Sequence, residues 1–506
     1  MSERALVIGA GPNGLAAAIR LAEAGVETTV LEARAQPGGA VRTEELTLPG
    51  FHHDTFSSVY PAGVASPVFS RMPLADHGLE WVHPAVCMAH PLDDGSAVGL
   101  FRELEPTVDS LEAQHAGDGR AWARFVGPYL RNFDAVRATM LAGFPPVGGP
   151  LKLLTQAGPL AAGQFGLLVA LPARTLARRM FAAPGSRAWL LGAAAHGDAP
   201  VTAGGSAVAA FYLNLLGHAV GWPSPRGGAQ ALTDALVAHL RALGGELVCD
   251  AQVEHVESSA GRVTGVVLTD GSHHQADVVL ADVMPQALLA MAGEALHGWY
   301  RSGLVRFRPG PATLKLDWAL DGPIPWASPV ARGAGTVHVG GDESSTIESL
   351  TQAHTGLAQR PFLLLGQQSI ADPTRAPAGK HTAWAYTHAP ADLAAELSTE
   401  HQIDAVEQQV ERFAPGFREL ILARHVLGPA ALQARNANLV NGDVGGGSYG
   451  GLQSVFRPLP ALSPYRTPLD GLFLGSAAAF PGGAVHGVPG DAAARAALSS
   501  LRRRRR

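Results

Sequence analysis

Two hydrophobic patterns follow one another at the start of the chain. Residues 4–8 form an apolar run of the length of a buried strand, and residues 26–31 form a second one. Between them, residues 15–24 are alanine-rich and apolar over the length of a helix, which Gly25 ends. A strand, a helix and a strand in this order predict a βαβ unit, in which two parallel strands are joined by a crossover helix.

Glycines occupy the turn between the first predicted strand and the helix. The turn reads Gly9-Ala10-Gly11-Pro12-Asn13-Gly14. With Glu32 at the end of the second strand, it predicts a dinucleotide-binding turn. Gly9 permits the tight turn, Gly11 lets a pyrophosphate approach the backbone, and Gly14 lets helix and strand pack closely. The helix N-terminus would bind the phosphates, and Glu32 would accept hydrogen bonds from an adenosine ribose.

A second glycine doublet follows the acidic residue. The segment reads Gln36-Pro37-Gly38-Gly39-Ala40-Val41-Arg42-Thr43. It resembles the second glycine motif of the amine-oxidase and carotenoid-desaturase flavoproteins, where the doublet runs beside the FAD pyrophosphate. That family usually has Arg on either side of the glycines, whereas Gln36 and Ala40 stand there in this chain. The phosphate-neutralising role is therefore carried over to Arg42. The resemblance continues through residues 50–54.

The C-terminal end repeats the arrangement of strand, glycine loop and helix. Residues 471–474 predict a strand, residues 475–490 are glycine-rich, and residues 491–501 predict an alanine-rich helix. This end resembles the bacterial phytoene desaturase-like family, including the branch named for a pyridine nucleotide-disulfide oxidoreductase domain. The resemblance implies that this segment returns to the nucleotide domain and lines the flavin ring.

The resemblance covers nearly the whole chain and implies its organisation. The fold class is α/β, with a discontinuous Rossmann-like FAD-binding domain and a mixed α+β substrate-binding domain. The FAD-binding domain takes residues 1–75, 220–290 and 465–506. The substrate domain takes 76–219, an apolar and mainly helical insert, and 291–464. In the central part, residues 247–256 predict one strand, from which Val253 would meet the adenine through its backbone.

The same resemblance implies a set of site residues. The FAD-binding residues are Gly9, Gly11, Pro12, Asn13, Gly14, Glu32, Ala33, Gly38, Gly39, Arg42, Val253, Gly475, Ser476, Gly483, Val485 and His486. The catalytic candidates are His486, Asp54 and Tyr60. His486 is interpreted as a polar residue beside the ring, a hydrogen-bond donor to the flavin, or an acid/base for the substrate. For Asp54 we expect an ion pair with Arg42 rather than a role as base.

Composition excludes several other kinds of site. A formal net charge of −5 gives no reason to expect nucleic acid as a partner. Cys87 and Cys249 form neither a CxxC pair nor a disulfide framework, so we expect a reducing, cytoplasmic compartment. The twenty His residues show no zinc spacing, and we therefore predict no metal site.

Two segments bear on contact with membranes. Residues 153–173 carry no charge, but Gly158 and Pro159 interrupt them, which favours a buried helix pair or a patch on a membrane surface over a spanning helix. Residues 502–506 are all Arg and predict a solvated, disordered tail or a contact with anionic lipid. A peripheral membrane contact therefore stays open, and the oligomeric state is not addressed by the sequence.

Three functions remain open at this stage. The resemblance and the apolar insert favour carotenoid-type chemistry, in which flavin N5 accepts a hydride from an apolar substrate and oxygen or a quinone reoxidises the flavin. The second interpretation is an amine oxidase of the same superfamily or an isomerase, acting on a smaller substrate. An amine oxidase would need an aromatic cage, for which Tyr449 and Trp222 are candidates. A flavin-binding scaffold without turnover is the third interpretation.

Overall fold

The computed structural model describes residues 3–197, 199–396 and 399–505. The strands are, in chain order, β1 (Arg4–Ile8), β2 (Glu27–Leu31), β3 (Thr43–Glu44), β4 (His53–Asp54), β5 (Trp81–Val82), β6 (Val86–Pro91), β7 (Ala97–Leu100), β8 (Ser224–Pro225), β9 (Glu246–Val248), β10 (Val253–Ser259), β11 (Arg262–Leu268), β12 (His273–Gln275), β13 (Val278–Ala281), β14 (Ala312–Leu320), β15 (Ala334–Val339), β16 (Leu363–Gly366), β17 (His381–Ala389), β18 (Ile421–Leu427) and β19 (Leu472–Leu474). The helices are α1 (Pro12–Glu23), α2 (Pro61–Val64), α3 (Leu104–Glu112), α4 (Asp118–Arg131), α5 (Phe133–Met140), α6 (Gly148–Leu168), α7 (Ala173–Met180), α8 (Pro184–Ala194), α9 (Ser206–Val220), α10 (Gln230–Ala242), α11 (Pro285–Ala292), α12 (Gly298–Val305), α13 (Pro329–Arg332), α14 (Glu343–Gln352), α15 (Glu400–Phe413), α16 (Pro429–Arg435) and α17 (Val488–Arg504).

A five-stranded parallel sheet joins distant parts of the chain. Its strand order is β19-β13-β1-β2-β9, and each neighbouring pair runs parallel. The α/β fold class and the N-terminal βαβ unit are thereby confirmed. Helices α1, α10 and α17 pack together against this sheet. All five strands come from the segments predicted for the FAD-binding domain, while the exact domain boundaries stay a prediction.

A seven-stranded sheet forms the second layer. Its order is β18-β14-β17-β16-β15-β6-β7, and most neighbours run antiparallel. Side chains alternate between its two faces. Leu314, Leu316 and Trp318 of β14 pack into a core with α15, whereas Lys315 and Asp317 point to the other face. That second face turns toward the parallel sheet and the helices α5, α6 and α9, because residues of all of them line one cavity.

Two predicted elements differ from the structure. Residues 247–256 form two strands of different sheets, β9 and β10, because Asp250 takes a φ of 54° and turns the chain between them. The described C-terminal arginines, Arg502–Arg505, do not form a disordered tail. Arg502–Arg504 are the last turn of α17, and Arg505 forms an ion pair with Glu3. Arg506 lies outside the described residues. The sequence also predicts a helix over 398–413; Ser398 lies outside the described residues, and α15 covers the rest from Glu400.

The apolar stretch of the first insert forms a bent helix. Helix α6 has a non-helical residue, Gly158, with φ 84° and ψ 166°, directly before Pro159. The predicted break is therefore confirmed. Among the described helices, none combines the length and apolar character needed to cross a bilayer.

Candidate functional site

One cavity of about 1030 Å³ lies between the two large sheets. Its wall includes the carboxyl ends of β1 and β2, the edge at which parallel sheets usually bind ligands. The predicted FAD-binding residues that line it are Gly9, Gly11, Pro12, Asn13, Glu32, Ala33, Gly39, Arg42, Val253, Ser476, Gly483, Val485 and His486. We call the part of the cavity that they line the nucleotide end.

Three other predicted residues, all glycines, pack behind this wall. A Cβ atom on Gly14 would lie 2.0 Å from the carbonyl oxygen of Gly9, so the absence of a side chain lets α1 begin close to β1. A Cβ on Gly38 would lie 2.6 Å from the carbonyl oxygen of Val41. A Cβ on Gly475 would lie 3.0 Å from Cβ of Ala493. These glycines shape the site without facing the cavity.

The two ends of the chain meet at the nucleotide end. Helix α1 begins at Pro12 and helix α17 begins at Val488, and the two helices pack against each other. A Cβ atom on Gly490 would lie only 1.9 Å from the backbone oxygen of Asn13. Because the two first turns are in backbone contact, the N-terminal glycine turn and residues 483–486 line the same cavity.

Three guanidinium groups face the nucleotide end. Arg34, Arg42 and Arg435 all line the cavity. Arg42 and Arg435 each form a 2.7 Å ion pair with Glu44. Nε of Arg42 is buried and makes no hydrogen bond within the described residues, so it remains free to donate to an anion. Together with the helix N-terminus, these cations fit a pyrophosphate, the anionic part of FAD. The sequence missed Arg34 and Arg435.

The expected ion pair between Asp54 and Arg42 does not form. Arg42 binds Glu44 instead, and Asp54 pairs with Arg375 at 2.7 Å. Asp54 also accepts hydrogen bonds from Thr43 Oγ1 and from the backbone N–H of Ala229, both at 2.8 Å. Its carboxylate is fully buried and is absent from the described residues that line the cavity.

Two carboxylates bind the backbone of the glycine turn. Glu32 accepts hydrogen bonds from the N–H groups of Ala10 and Arg34, at 2.8 and 2.9 Å. Each of its oxygens keeps a second acceptor site for a ribose hydroxyl. Asp282, which follows β13 and which the sequence missed, accepts from Gly14 N–H at 2.9 Å. Burial, and secondarily the charge of Glu32, raise the pKa of Asp282 to about 7.

His486 and Tyr60 line the cavity close to the C-terminal glycines. His486 Nδ1 accepts a hydrogen bond from Val488 N–H at 3.2 Å, and burial lowers the pKa of the ring to about 4. The neutral ring therefore carries its proton on Nε2, and the ring also has a hydrogen-bonding partner in the backbone of Gly483. The Tyr60 hydroxyl donates to the carbonyl of Ser57 at 2.7 Å, and burial raises its pKa well above its ordinary value.

The opposite wall is the inner face of the seven-stranded sheet, which we call the sheet face. Its side chains that line the cavity come from β14, β15 and β17, and they are Thr313, Lys315, Thr336, Trp384, Tyr386 and His388. Sequence reasoning missed all of them. The signal that could have found them is the period-two alternation of polar and apolar residues along β14 and β17.

Lys315 brings a cation to this wall. It is 3% exposed, and its Nζ forms an ion pair with Asp317, two residues along on the same face of β14. Burial raises the pKa of Asp317 to about 6, against the opposing effect of Lys315. His53, of the predicted 50–54 motif, lies behind this pair, with Nδ1 3.8 Å from Asp317. Burial lowers the pKa of His53 to about 3, so its ring is neutral.

The remaining wall is apolar and helical. It is formed by the ends of α5 and α6 and by one side of α9, and its members are Met140, Leu141, Pro146, Phe165, Val169, Val208, Ala209, Leu213, Leu216 and Trp222. The two aromatic candidates for a cage are separated. Trp222 contacts His196 and His338, while Tyr449 stacks on Arg457 and its hydroxyl accepts from Gly483 N–H.

Three comparisons relate this chain to known proteins. Residues 7–72 match the model of the NAD(P)-binding Rossmann-like domain. Pyridine nucleotide-disulfide oxidoreductase domain-containing protein 2 of Rattus norvegicus is 30% identical over 98% of this chain and 94% of its own. Hydroxyneurosporene desaturase of Cereibacter sphaeroides is 32% identical over 57% of each chain. The structure of cyclohexylamine oxidase from Brevibacterium oxydans superposes with a TM-score of 0.62 at 17% identity, covering 100% of both chains.

The rat relative's name mentions a disulfide, but here Cys87 and Cys249 are both free thiols. The glycine turns, the arginines and the convergence of the chain ends supply a dinucleotide site without any redox cysteine pair. The chain therefore belongs to the family of the pyridine nucleotide-disulfide oxidoreductase domain-containing protein 2, a branch of the phytoene desaturase-like, FAD-dependent oxidoreductases.

Proposed function

We propose that this enzyme desaturates an apolar, carotenoid-like substrate. The observation that carries the proposal is the continuity of one cavity from the nucleotide end to the apolar wall of α5, α6 and α9. An apolar chain placed there would be buried along its length, which is favourable by about 25 cal/mol per Å² of apolar surface. FAD, when bound, supplies the two-electron acceptor for removing hydrogen from a C–H pair.

The residues of the chain hold and orient the reactants in this proposal. Arg34, Arg42 and Arg435 bind the pyrophosphate, and Glu32 binds the ribose. His486 donates a hydrogen bond from Nε2 to the cofactor's electron-rich edge, a role that its engaged Nδ1 favours over that of a base. Lys315 places an ammonium at the sheet face, where it stabilises negative charge that develops beside it.

Anaerobic mixing tests the proposed function. Holoenzyme is mixed with vesicles containing a phytoene-like polyene, and its flavin absorbance is followed. We expect bleaching with the polyene and none with primary amines of similar length. Bleaching with amines alone would replace the proposal by an amine oxidase, and no bleaching with either would contradict both. Reoxidation of the bleached enzyme by oxygen or by a quinone then identifies the electron acceptor.

An amine substrate is the second candidate. Trp384 and Tyr386 stack on each other at the sheet face, with ring centroids 5.8 Å apart and planes inclined by 10°. The π faces of such rings attract cations. The fold shared with cyclohexylamine oxidase is compatible with this candidate, although fold likeness does not assign a substrate.

We also propose that α6 rests on a lipid surface. Its large exposed apolar side chains, with those directly flanking it, are Val147, Leu151, Leu154, Leu160, Leu167 and Val169. Val169 and the neighbouring Phe165 also line the cavity. An apolar substrate would therefore pass from lipid to the cavity beside this helix without crossing water.

A further inference from the structure

Two polar side chains flank Gly366 on the sheet face. Thr336 of β15 pairs in register with Gly366 of β16, and Gly366 pairs with Trp384 of β17. Because Gly366 has no side chain, the indole of Trp384 lies over it. A Cβ atom on Gly366 would fall 2.6 Å from Trp384 Nε1. The N–H edge of the indole therefore reaches from its own strand toward that of Thr336.

The polar groups of Trp384 and Thr336 both lack a hydrogen-bond partner in the described part of the chain. Trp384 Nε1 and Thr336 Oγ1 are buried and make no hydrogen bond within the described residues, although both side chains line the cavity. Thr336 is 2% exposed and Trp384 is 8% exposed. Burying a polar group without a hydrogen bond is unfavourable. Two such groups on one wall of the cavity therefore indicate that a bound ligand supplies the missing hydrogen bonds.

A histidine pair adds a third donor. His196 and His338 approach with 3.0 Å between their Nε2 atoms, so one ring must donate and the other accept. His338 Nδ1 is buried without a partner among the described residues, and an orphaned N–H is rarer than an orphaned acceptor. We therefore assign the His338 proton to Nε2. His196, which lines the cavity, then carries its own proton on Nδ1.

This part of the cavity, formed by Thr336, Trp384 and His196 and called the polar end, carries no net charge. Burial lowers the pKa of His196 and of the neighbouring His388 to about 4, so both are neutral at pH 7. The acidic side chains among the described cavity-lining residues, Glu32 and Asp282, both lie at the nucleotide end. A cationic ligand group would find no counterion at the polar end. The nearest cation, the Lys315 ammonium 5.9 Å from the Trp384 ring centroid, is neutralised by its ion pair with Asp317.

We propose that the polar end binds one uncharged oxygen, a hydroxyl or a carbonyl, at the terminus of an otherwise apolar substrate. The indole and imidazole N–H groups donate to this oxygen, and the Thr336 hydroxyl donates or accepts. The inference rests on the proposed function, because it takes the apolar wall as the site of the substrate's chain. It narrows the substrate class to amphipathic molecules with a neutral polar head.

Four ligands of one chain length test the proposal. A linear C20 isoprenoid hydrocarbon, its primary alcohol, its carboxylic acid and its primary amine are bound to holoenzyme by equilibrium dialysis. One hydrogen bond in such a site changes affinity about fivefold. We expect the alcohol to bind about tenfold more tightly than the hydrocarbon, and the acid and the amine to bind more weakly than the alcohol.

Two variants remove single polar groups. Trp384→Phe and Thr336→Val should each reduce the advantage of the alcohol about threefold to fivefold without changing the dissociation constant of the hydrocarbon. Trp189→Phe is the matched control, because the Trp189 indole N–H is also buried without a hydrogen bond in the described residues but lies on α8 away from the cavity wall. Its alcohol-to-hydrocarbon ratio should equal that of the wild type.

The outcomes separate the two proposals. Equal binding of alcohol and hydrocarbon by the wild type would overturn the polar end and leave the proposed apolar substrate intact. Tighter binding of the acid or the amine would also overturn it. Failure of all four ligands to bind would overturn both. Flavin content and thermal midpoint, measured on each variant, show whether the loss arises from unfolding.

Discussion

The nucleotide end and the sheet face are built in different ways. The nucleotide end consists of backbone turns whose glycines follow one another in the chain, so a local motif describes most of it. The sheet face consists of side chains from separate strands. Thr313 and His388, for example, are 75 residues apart in the chain and 3.2 Å apart in the fold. The nucleotide end depends on glycines, which have no side chain. The sheet face depends on which side chains of its strands point into the cavity.

The largest effect should come from adding one methyl group where the chain ends meet. In Gly490→Ala, the new Cβ would overlap the backbone oxygen of Asn13, and no side-chain rotation relieves a backbone clash. We expect a loss of more than about 3 kcal/mol in the free energy of unfolding, together with loss of FAD. Urea unfolding and the ratio of flavin to protein absorbance measure the two effects.

Gly163→Ala in α6 is the control for this substitution. A Cβ atom there would meet nothing within 4 Å, so stability should stay the same or rise slightly. A yellow, fully stable Gly490→Ala protein would contradict the contact between α1 and α17 on which the nucleotide end depends.

The contrast between the two regions explains what the sequence could predict. Gly9 and Gly11 were found because they lie between a predicted strand and a predicted helix, and Glu32 was found because it directly follows the next strand. Asp282 and Arg435 were missed, although they line the same nucleotide end. Asp282 follows β13 and Arg435 ends α16, and neither residue belongs to a recognisable local motif. Asp54 was assigned to the wrong arginine, because partners such as Arg375 are set by tertiary packing.

The sheet face shows a second limit of sequence reasoning. Lys315 lies in β14, which is buried on both faces. The alternation of polar and apolar residues along this strand predicts a strand but does not indicate a binding site. Which face meets a cavity depends on the helices that cover it. Similarly, residues 247–256 appeared as one strand, because the turn at Asp250 uses a residue without the usual signal of glycine.

Asp282 provides a pH-dependent test of the nucleotide end. Its folded-state pKa is about 7, above the ordinary value of 3.8, so its contribution to stability is complete below about pH 4 and is lost as the pH rises through 7. Asp282→Asn keeps an acceptor for Gly14 N–H and removes the titration. We expect the variant to match the wild type at pH 4 and to exceed it by about 4 kcal/mol at pH 8.

Urea unfolding of the apoprotein at both pH values measures this difference. The affinity for FAD gives a second readout, because a phosphate beside an ionised Asp282 is unfavourable. Wild-type affinity should fall above pH 7, and that of the variant should fall less. Parallel pH profiles for the two proteins would show that Asp282 titrates as an ordinary surface aspartate.

Lys315 tests whether the sheet face takes part in the reaction. Lys315→Met leaves Asp317 buried without its cation and raises the pKa of Asp317 further, which should cost about 3 kcal/mol at pH 8 and less at pH 5, where the carboxyl is protonated. Lys315→Met/Asp317→Asn removes both charges and should regain most of that stability. If the ammonium stabilises charge during the reaction, the double variant stays slow, by about tenfold or more in kcat. Full recovery of kcat would reduce Lys315 to a structural role.

The smallest expected effect concerns the exposed side of α6, opposite the sheet face. Leu160 is 75% exposed, and Leu167, seven residues later, lies on the same side of the helix. Leu160→Gln should weaken binding to phospholipid vesicles about fivefold, which corresponds to about 1 kcal/mol for one partly inserted leucine.

Leu422 offers a matched control, because it is 46% exposed and lies on β18, an edge strand of the seven-stranded sheet. Leu422→Gln should leave vesicle binding unchanged, and neither variant should alter the thermal midpoint, since both side chains are already exposed. Cosedimentation with vesicles measures the binding. An equal loss of vesicle affinity in both variants would show that exposed apolar side chains contribute to vesicle binding wherever they lie. The substrate's proposed route from lipid to the apolar wall beside α6 would then be contradicted.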